Sequence, residues 1–593
     1  MPGAAGEFIG MIGVSVIFAV GASFIIAMTV VPAFAGWFDH NNYAEGRHSF
    51  LRDGLRFKPL EYFYRGILQA VTARPWVGLV GGVILPVAGF AAATTLPMQF
   101  FPPTDRDMFQ IEMVLPANTS ITETQRQVLR ATELIYAYEG VIDIGWTLGE
   151  SPPRTYYNVI GNESSAPYLA AGWVRTASAE VTHDLLPVLQ RDMIAAFPQA
   201  RFLTLPFEQG PPTAAPIELK IFGPDLATLD RLGDEIRQVL ARTPGVTPTV
   251  AGMRMGEPVA RVTVDEASAE LAGIRLEDLA NRLRADFDGV PGGSILEGVE
   301  EMPVRVIAPE NRRASVSDLA SSPLLTPADS GILSAPVSAL GEVGLSPEVA
   351  SIRRQDGERM NPVYAYLEPF SLPAPVLEDF MTRLEAAGVE MPAGYTLQIG
   401  GEAEARGDAM GNLFGTAGPL LILMIGAVVL AFNSFRFAGV VFITGFLSVG
   451  LALFGVWLFG TPLGFNAIVG SMGLVGLSIN GTIVVLSALR ASPAAAALDM
   501  AAIEDTVVDA TRHIISTTLT TIGGFVPLIL SGDSFWLPFA AAVAGGVAGS
   551  AILALIFAPA AFVMLARARQ KRRDFHERLK KRVRRGALMQ AAE

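Results

Sequence analysis

Long apolar stretches alternate with polar ones along the chain, and seven of them are long enough to cross a bilayer. A membrane-spanning helix needs about 20 predominantly apolar residues. The stretches lie at residues 8–37, 77–97, 413–432, 438–459, 463–489, 514–530 and 537–566. The pattern therefore predicts an α-helical polytopic membrane protein with about seven spans.

The polar region between the second and third stretches has its own regular order of elements. Strand, helix and strand patterns follow one another twice between FQIEMVLP and ARFLTLPF, and again between IELKIFG and YTLQIGGE. This is the βαββαβ order of a ferredoxin-like (split βαβ) unit. The second unit is interrupted by about a hundred residues, which predicts an inserted subdomain. We therefore expect an α+β region of two ferredoxin-like units.

A shorter segment, FKPLEYFYRGILQAV, has the apolar spacing of an amphipathic helix. Its stripe consists of Leu60, Phe63, Tyr64, Ile67, Leu68 and Val71. Such a helix lies along a membrane surface or packs against other protein. Both interpretations stay open from the sequence.

Charge places these parts relative to the membrane. The chain is 51% apolar. Its net charge of −13 argues against a nucleic-acid partner, because nucleic acids are also negatively charged. The basic residues of the loops fall on one side if the polar region is extracytoplasmic, as the positive-inside rule requires. They are Arg47, Arg52, Arg56, Lys58, Arg436, Arg490, Arg512 and those of the tail after the last span. We expect the N-terminus outside and the C-terminus inside.

The first stretch has an alternative interpretation as a signal peptide cleaved after Ala35. Glu7 and the absence of an early Lys or Arg argue against it.

These patterns predict how the chain is organised. The predicted parts are a first span at 1–37, a cytoplasmic linker with an interfacial helix at 38–76, a second span at 77–97, a first α+β unit at 98–215, a second unit at 216–256 and 361–412, an inserted subdomain at 257–360, a five-span bundle at 413–567 and a basic cytoplasmic tail at 568–593.

Several motifs occur in a fixed order along the chain. They are LPMQFFPPTDRDMFQIEMVLPANTS, FGPDLATLDRLGDEI, IGGEAEAR, VLAFNSFR, GLSINGTIVVL and STTLTTIGGFVPLILSG. With these motifs the chain resembles a resistance-nodulation-division (RND) inner-membrane efflux transporter over about residues 1–570. The likeness is to the C-terminal half, namely spans six to twelve and the second porter region.

The resemblance implies a function, a location and partners. It implies that an ion gradient, with protons as the ion, drives the export of small molecules. It also implies that this export contributes to multidrug resistance. It implies a bacterial inner-membrane protein whose large domain is periplasmic, with 257–360 as a docking-type subdomain. The implied partners are membrane lipid, an N-terminal RND half or full-length protomers in a trimer, a periplasmic adaptor (membrane fusion) protein and an outer-membrane channel.

The membrane stretches contain candidate ion-coupling residues but no charged ones. Their apolar cores hold no Asp, Glu, Lys or Arg, so the chain alone does not offer the carboxylates of a proton relay. The resemblance implies that Asn480 occupies the position at which the family has a lysine. It also implies that Thr517 occupies the position of a threonine in the family's proton relay. Ser478 and Thr518 complete the predicted seam. The alternative is that these small polar residues only allow close helix packing.

Candidate chemistry outside the membrane is sparse. The resemblance places a substrate-contacting loop near SPPRTYYNVIGNES, with Tyr156 and Tyr157 as its aromatic residues. Met253 and Met255 are compatible with soft-metal handling, but isolated methionines more often fill gaps, and we predict no metal site. The chain has no cysteine, and neither a nucleophile–base motif nor a phosphate loop is present, so we predict no enzyme and no cofactor.

Two alternatives to a transporter subunit remain open. One is a non-functional fragment of a split or truncated transporter gene. The other is a membrane sensor or protein-export accessory with an extracytoplasmic module. A sensor would need a cytoplasmic signalling domain, whereas only a basic tail follows the last span.

Overall fold

The computed structural model describes residues 4–39, 58–154, 156, 159, 161, 163–253, 259–298, 300–309, 315–325, 334–346 and 351–590. In chain order its first elements are α1 (Ala4–Asp39), α2 (Lys58–Ala73), α3 (Pro75–Ala93), β1 (Met108–Val114), α4 (Ile121–Tyr136), β2 (Val141–Leu148), β3 (Leu169–Thr176), α5 (Ala179–Ala196), β4 (Arg201–Pro206), β5 (Ile217–Phe222), α6 (Leu226–Ala241) and β6 (Val246–Ala251).

The remaining elements continue to the C-terminal side. They are β7 (Val259–Val264), α7 (Glu266–Leu271), α8 (Leu276–Leu283), β8 (Val290–Glu297), β9 (Glu300–Val306), α9 (Val316–Ser321), β10 (Pro323–Leu325), β11 (Ser334–Pro336), β12 (Gly341–Ser346), β13 (Arg353–Gln355), β14 (Glu358–Leu367), α10 (Pro373–Ala387), β15 (Thr396–Gly401), α11 (Glu402–Phe432), α12 (Phe435–Leu458), α13 (Phe465–Ala491), α14 (Pro493–Ala496), α15 (Met500–Ser531), α16 (Leu537–Ile552) and α17 (Ala558–Gln590).

Within the described ranges, 7 helices are long and apolar enough to cross a membrane. They coincide with the seven predicted stretches, although two of them begin earlier than hydropathy indicates. α11 begins at Glu402 and α15 at Met500, where the Asp499 side chain accepts a hydrogen bond from the Ala501 N–H. The reason is that a helix does not have to end where its apolar part ends. Polar turns can continue it outside the lipid.

The membrane helices differ in how far the protein covers them. In α12, 56% of the apolar window is buried, and in the last span 78%. The corresponding values are 0% for α1 and 6% for both α11 and α15. α12 and α16 approach closely at two glycines, because a Cβ on Gly545 would lie 2.7 Å from the Cα of Gly455. The core of the bundle is therefore formed by α12, α13 and the last span.

The first sheet has four antiparallel strands in the order β2-β3-β1-β4. Residues alternate along β1, so that Phe109, Ile111 and Met113 are fully buried while Gln110 and Glu112 lie on the other face. The buried face packs against α4 and α5 through residues such as Ile135 and Leu189. The opposite face of the sheet is left free to line cavities.

The second sheet repeats this arrangement. β14 pairs with β6 on one side and with β5 on the other, and β5 pairs in turn with β15. The short β13 also pairs with β14. Two helices, α6 and α10, contribute Ile236 and Phe380 to its core. Between β6 and β13 lie a β7–β12 pair, a β8–β9 hairpin and a separate small apolar cluster.

The amphipathic helix α2 packs against the bundle. Leu68 and Val71 are buried and Tyr64 is half-buried, whereas Leu60 and Phe63 are 63% and 67% exposed. The buried side contacts α3, α15 and α17. Of the two interpretations that the sequence left open, packing against protein therefore applies to the C-terminal part of the stripe.

Candidate functional site

A polar cavity of about 170 Å³ opens between α13, α15 and α16 in the membrane bundle. Its polar lining consists of Ser478, Asn480, His513, Thr517, Thr518, Thr521 and Ser550. The four predicted seam residues Ser478, Asn480, Thr517 and Thr518 are thus brought together. Positions three and four apart share one face of a helix. The cavity follows this spacing at Leu477, Asn480, Gly481 and Val484 on α13 and at Ile514, Thr517, Thr518 and Thr521 on α15, whereas Ser478 lies at its edge.

The hydroxyl groups of this cavity are largely satisfied within their own helices. Thr517 donates to the carbonyl of His513 at 2.9 Å, and Thr521 donates to that of Thr517 at 2.8 Å. Such back-bonding is how hydroxyls are accommodated in lipid. Asn480 and Thr517 are nevertheless exposed on the side of the cavity that the bundle leaves uncovered.

Ser478 differs from the other seam residues. It is 2% exposed, and its hydroxyl donates to the Ser448 hydroxyl on α12 at 2.8 Å. The neighbouring Gly481 allows close approach, because a Cβ there would lie 3.1 Å from the Ala554 Cβ. The packing interpretation therefore fits Ser478 and Gly481. It does not account for the exposed Asn480.

His513 is a cavity residue that the sequence analysis missed. It stands one helical turn before Thr517 on α15 and is the titratable side chain among the described residues that line the cavity. The predicted span began at residue 514, so His513 was left outside it. The i, i+4 spacing to Thr517 would have revealed it if the helix had been extended toward the N-terminus.

A second cavity, which we call the cleft, lies between the two sheets and has a volume of about 330 Å³. The first sheet contributes Glu112 and Arg201, which form an ion pair, and the Arg201 guanidinium lies 5.5 Å from the centre of the Tyr366 ring. On the second sheet, Arg353 donates to the Tyr364 hydroxyl at 2.6 Å. The cleft therefore combines two guanidinium groups with carboxylates and tyrosine rings.

Glu208 lines the cleft and belongs to the segment that joins β4 of the first sheet to β5 of the second. The Glu208 side chain is exposed to the cleft, while protein atoms crowd around its carboxyl group. The loss of hydration from this crowding raises the pKa of Glu208 to about 7, and the charge of Glu402 adds to the rise. The carboxyl group can therefore exchange a proton near neutral pH.

Tyr156 lies in the loop that the resemblance assigned to substrate contact. Its ring packs 4.9 Å from the Phe207 ring, and the Arg106 guanidinium lies 5.7 Å from its centre. With Trp173 these residues line a neighbouring cavity of about 580 Å³ on the same sheet face. Val159, from the same loop, lines the cleft, so the loop borders both cavities. Tyr157 lies outside the described residues.

The other residues singled out from the sequence have structural surroundings. Met253 packs against the core of the second sheet, and Met255 lies outside the described residues. His183 stacks on Phe370 with 4.2 Å between ring centres. In the part of the chain that the structure describes, no group of three or more His, Asp or Glu side chains is arranged to hold a metal ion.

Comparison with known proteins gives a consistent group of relatives. The family model described as the AcrB/AcrD/AcrF family matches residues 1–566. The nickel-cobalt-cadmium resistance protein NccA of Alcaligenes xylosoxydans xylosoxydans is 23% identical over 583 residues, with 96% of this chain and 53% of the relative covered. The cobalt-zinc-cadmium resistance protein CzcA of Cupriavidus metallidurans is 23% identical over 604 residues, with 97% and 55% covered.

The fold is also similar to that of a solved structure. The crystal structure of a heavy metal efflux pump superposes with a TM-score of 0.70 at 17% identity, covering 85% of this chain and 51% of that one. The chain thus spans about half the length of the relatives it matches.

Proposed function

Because the chain belongs to the AcrB/AcrD/AcrF family of RND transporters, we propose that it is the C-terminal part of a secondary active transporter that exports small molecules. The observation that carries this proposal is the shared cavity of Asn480, Thr517 and Thr518 in the membrane bundle. The transporter operates in the bacterial inner membrane with its sheets in the periplasm. It assembles as a trimer with an adaptor protein and an outer-membrane channel.

The two sheets act as porter units. We assign a ferredoxin-like unit to 98–215 and a second one to 216–256 and 361–412. The strand order supports this, since β2-β3-β1-β4 is matched by β6-β14-β5-β15. The docking-type subdomain is 257–360, and the five-span bundle is 413–567. The substrate passes through the cleft between the units, where the loop with Tyr156 borders its path.

Ion coupling uses the cavity together with groups from the N-terminal half. Asn480 has no charge and can only exchange hydrogen bonds. The described residues that line the cavity include His513 but no Asp or Glu, so the proton-carrying carboxylates come from that half. Asn480 donates to such a carboxylate, and Thr517 and Thr518 extend the same polar seam. The exposure of Asn480 and Thr517 supports an approach from the uncovered side. A neutral donor leaves the pKa of a partner acid higher than a lysine would.

The test compares the chain alone with a reconstituted pair. Proteoliposomes contain either the chain or the chain with an N-terminal half that supplies five spans, a porter region and an acid pair. Efflux of a fluorescent organic cation is followed against an imposed pH gradient. We expect transport by the pair and none by the chain. Proton-coupled efflux by the chain alone would contradict the proposal, and an inactive pair would favour a non-functional fragment.

Metal-ion export is the second candidate, because the relatives named above are metal resistance proteins. The lining of the cleft favours organic molecules instead. Its described lining residues include Arg201 and Arg353 with tyrosines and carboxylates, and no methionine or histidine. Soft and borderline metal ions prefer sulfur and imidazole ligands. Isothermal titration calorimetry of the chain with Ni²⁺, Co²⁺ and Cd²⁺ discriminates between export of organic molecules and export of metal ions. Saturable binding that disappears in the Glu208→Gln variant would favour metal export.

A further inference from the structure

The last membrane span contains one π-helical turn, Leu553–Phe557, between α16 and α17. In this turn the N–H of Ala558 donates to the carbonyl of Leu553, five residues earlier. Pro559 follows and has no N–H, so the carbonyls of the turn lose one donor. The Leu555 carbonyl instead accepts a hydrogen bond of 2.8 Å from the hydroxyl of Tyr64.

The same π turn forms a wall of the polar cavity. Ala554 lines the cavity together with Asn480 and Thr517. The turn also packs closely on α13, because a Cβ on Gly481 would lie 3.1 Å from the Ala554 Cβ. π turns are frequent at functional sites, because the wider turn displaces side chains from the ordinary helical positions. A shift of this turn therefore changes the shape of the cavity directly.

Tyr64 also lies next to α15, the helix that carries His513 and Thr517. Its hydroxyl lies close to the Thr511 side chain, and its ring packs against the apolar cluster that includes Val507 and Ile514. Burial raises the pKa of Tyr64 above its usual value, so the hydroxyl stays protonated and can donate. Tyr64 thus hydrogen-bonds the π turn from a position beside α15.

Further contacts hold α2 in place around Tyr64. Arg65 forms an ion pair of 2.7 Å with Asp505 at the start of α15. Near the C-terminal end of α2, Arg567 of α17 donates to the carbonyl of Thr72 at 2.8 Å. α2 is therefore attached to α15 at the residue next to Tyr64 and to the last span two turns later.

We propose that Tyr64 is a positioning residue for the polar cavity, holding the π turn of the last span against α2, which the Arg65–Asp505 pair joins to α15, and so limiting how far the cavity opens. The consequence of this role for ion coupling rests on the proposed function. The effect of Tyr64 on the opening of the cavity does not depend on that function. Loss of the hydroxyl increases the population in which the π turn has moved away from α15.

The chain lacks cysteine, so a single introduced thiol reports on one position. Ser550 lines the cavity and is 7% exposed, and Ser550→Cys is close to isosteric. Its rate of modification by N-ethylmaleimide is measured in membrane vesicles that contain the full chain. In combination with Tyr64→Phe we expect the rate to rise about two- to tenfold, the equilibrium change for loss of one hydrogen bond.

Two matched controls separate this effect from general loosening. Tyr62→Phe removes a hydroxyl from the same helix at a side chain that is 83% exposed, and it should leave the rate unchanged. Ser448→Cys places a thiol at a fully buried position on α12, and its slow modification should persist in Tyr64→Phe. Equal rates of the Ser550→Cys reporter with and without Tyr64→Phe would overturn the proposal, as would a parallel rise at the Ser448→Cys reporter.

A second variant changes the neighbouring side chain on α15. Thr511→Val alters the position beside the Tyr64 hydroxyl, and its effect on the Ser550→Cys rate should not add fully to that of Tyr64→Phe. Full additivity would contradict an action of Tyr64 at its contact with α15. Because modification does not require transport, an inactive reconstituted pair with a raised labelling rate would remove the proposed coupling role and leave the positioning role intact.

Discussion

Lys220 on β5 and Glu404 in the first turn of α11 form an ion pair with 2.6 Å between Nζ and Oε2. The two residues are far apart in the sequence, yet they join the second sheet to a membrane helix. β15 also runs directly into α11, with Gly401 at a φ of 69° in the connection. Because Lys220 is only 11% exposed, its charge also acts on the neighbouring Glu218.

Lys220→Met should destabilise the protein more at high pH than at low pH. Burial raises the pKa of Glu218, and the positive charge of Lys220 partly opposes that rise. A carboxyl group whose pKa is raised on folding binds more protons in the folded state, so stability falls as pH increases through that range. Without Lys220 the fall becomes steeper. We expect a melting temperature lowered by about 2–4 °C at pH 8 and less at pH 5.

The measurement is thermal unfolding in detergent at both pH values. Arg231→Met is the matched control, since Arg231 forms an exposed pair with Glu235 along α6. It should change stability by less than about 0.5 kcal/mol at either pH. An equal loss at pH 5 and pH 8 in Lys220→Met would show that Glu218 is not involved.

Glu208→Gln should remove a proton-binding group of the cleft. The pKa of Glu208 is raised to about 7, so its carboxyl group is mostly protonated below that pH and mostly ionised above it. Infrared difference spectra between pH 6 and pH 8 should contain a carboxyl band that is missing in the variant. Glu163→Gln, another residue of the cleft, serves as the control. A band retained in Glu208→Gln would assign the titration to a different group.

Asn480→Leu should abolish coupling in the reconstituted pair while insertion into the membrane stays normal. Leucine fills a similar volume but cannot hydrogen-bond a carboxylate. We expect efflux to fall by at least about tenfold, as for loss of a hydrogen bond to a charged group. Val484→Leu changes an apolar residue of the same cavity and should remain active. Full activity of Asn480→Leu would reduce Asn480 to a packing role.

Gly545→Ala should weaken the contact between α12 and α16. The added methyl group would lie 2.7 Å from the Gly455 Cα, and backbone atoms cannot move aside without separating the helices. We expect the free energy of unfolding, measured by titration with sodium dodecyl sulfate, to fall by about 1–3 kcal/mol. Gly473→Ala is the control, because no atom of another helix in the described part of the chain lies within 4 Å of a Cβ there. That substitution should be neutral or stabilising, since alanine favours helix.

The sequence alone determined the parts that depend on local patterns. Apolar length set the seven spans, and alternating and helical periodicities set the order of strands and helices in both sheets, because each pattern records which side of an element is buried. The candidate residues Asn480 and Thr517 were also identified from the sequence, through their polarity inside apolar stretches and the motifs around them.

Only the tertiary structure decided which distant residues meet. A hydropathy pattern identifies only the apolar part of a helix. It could therefore not show that α15 begins well before its apolar part and places His513 in the cavity. Likewise, no local pattern links Tyr64 to Leu555 or Arg201 to Tyr366. Such contacts depend on how whole helices and sheets pack, and a side chain finds its partner only after the elements that carry both have been brought together.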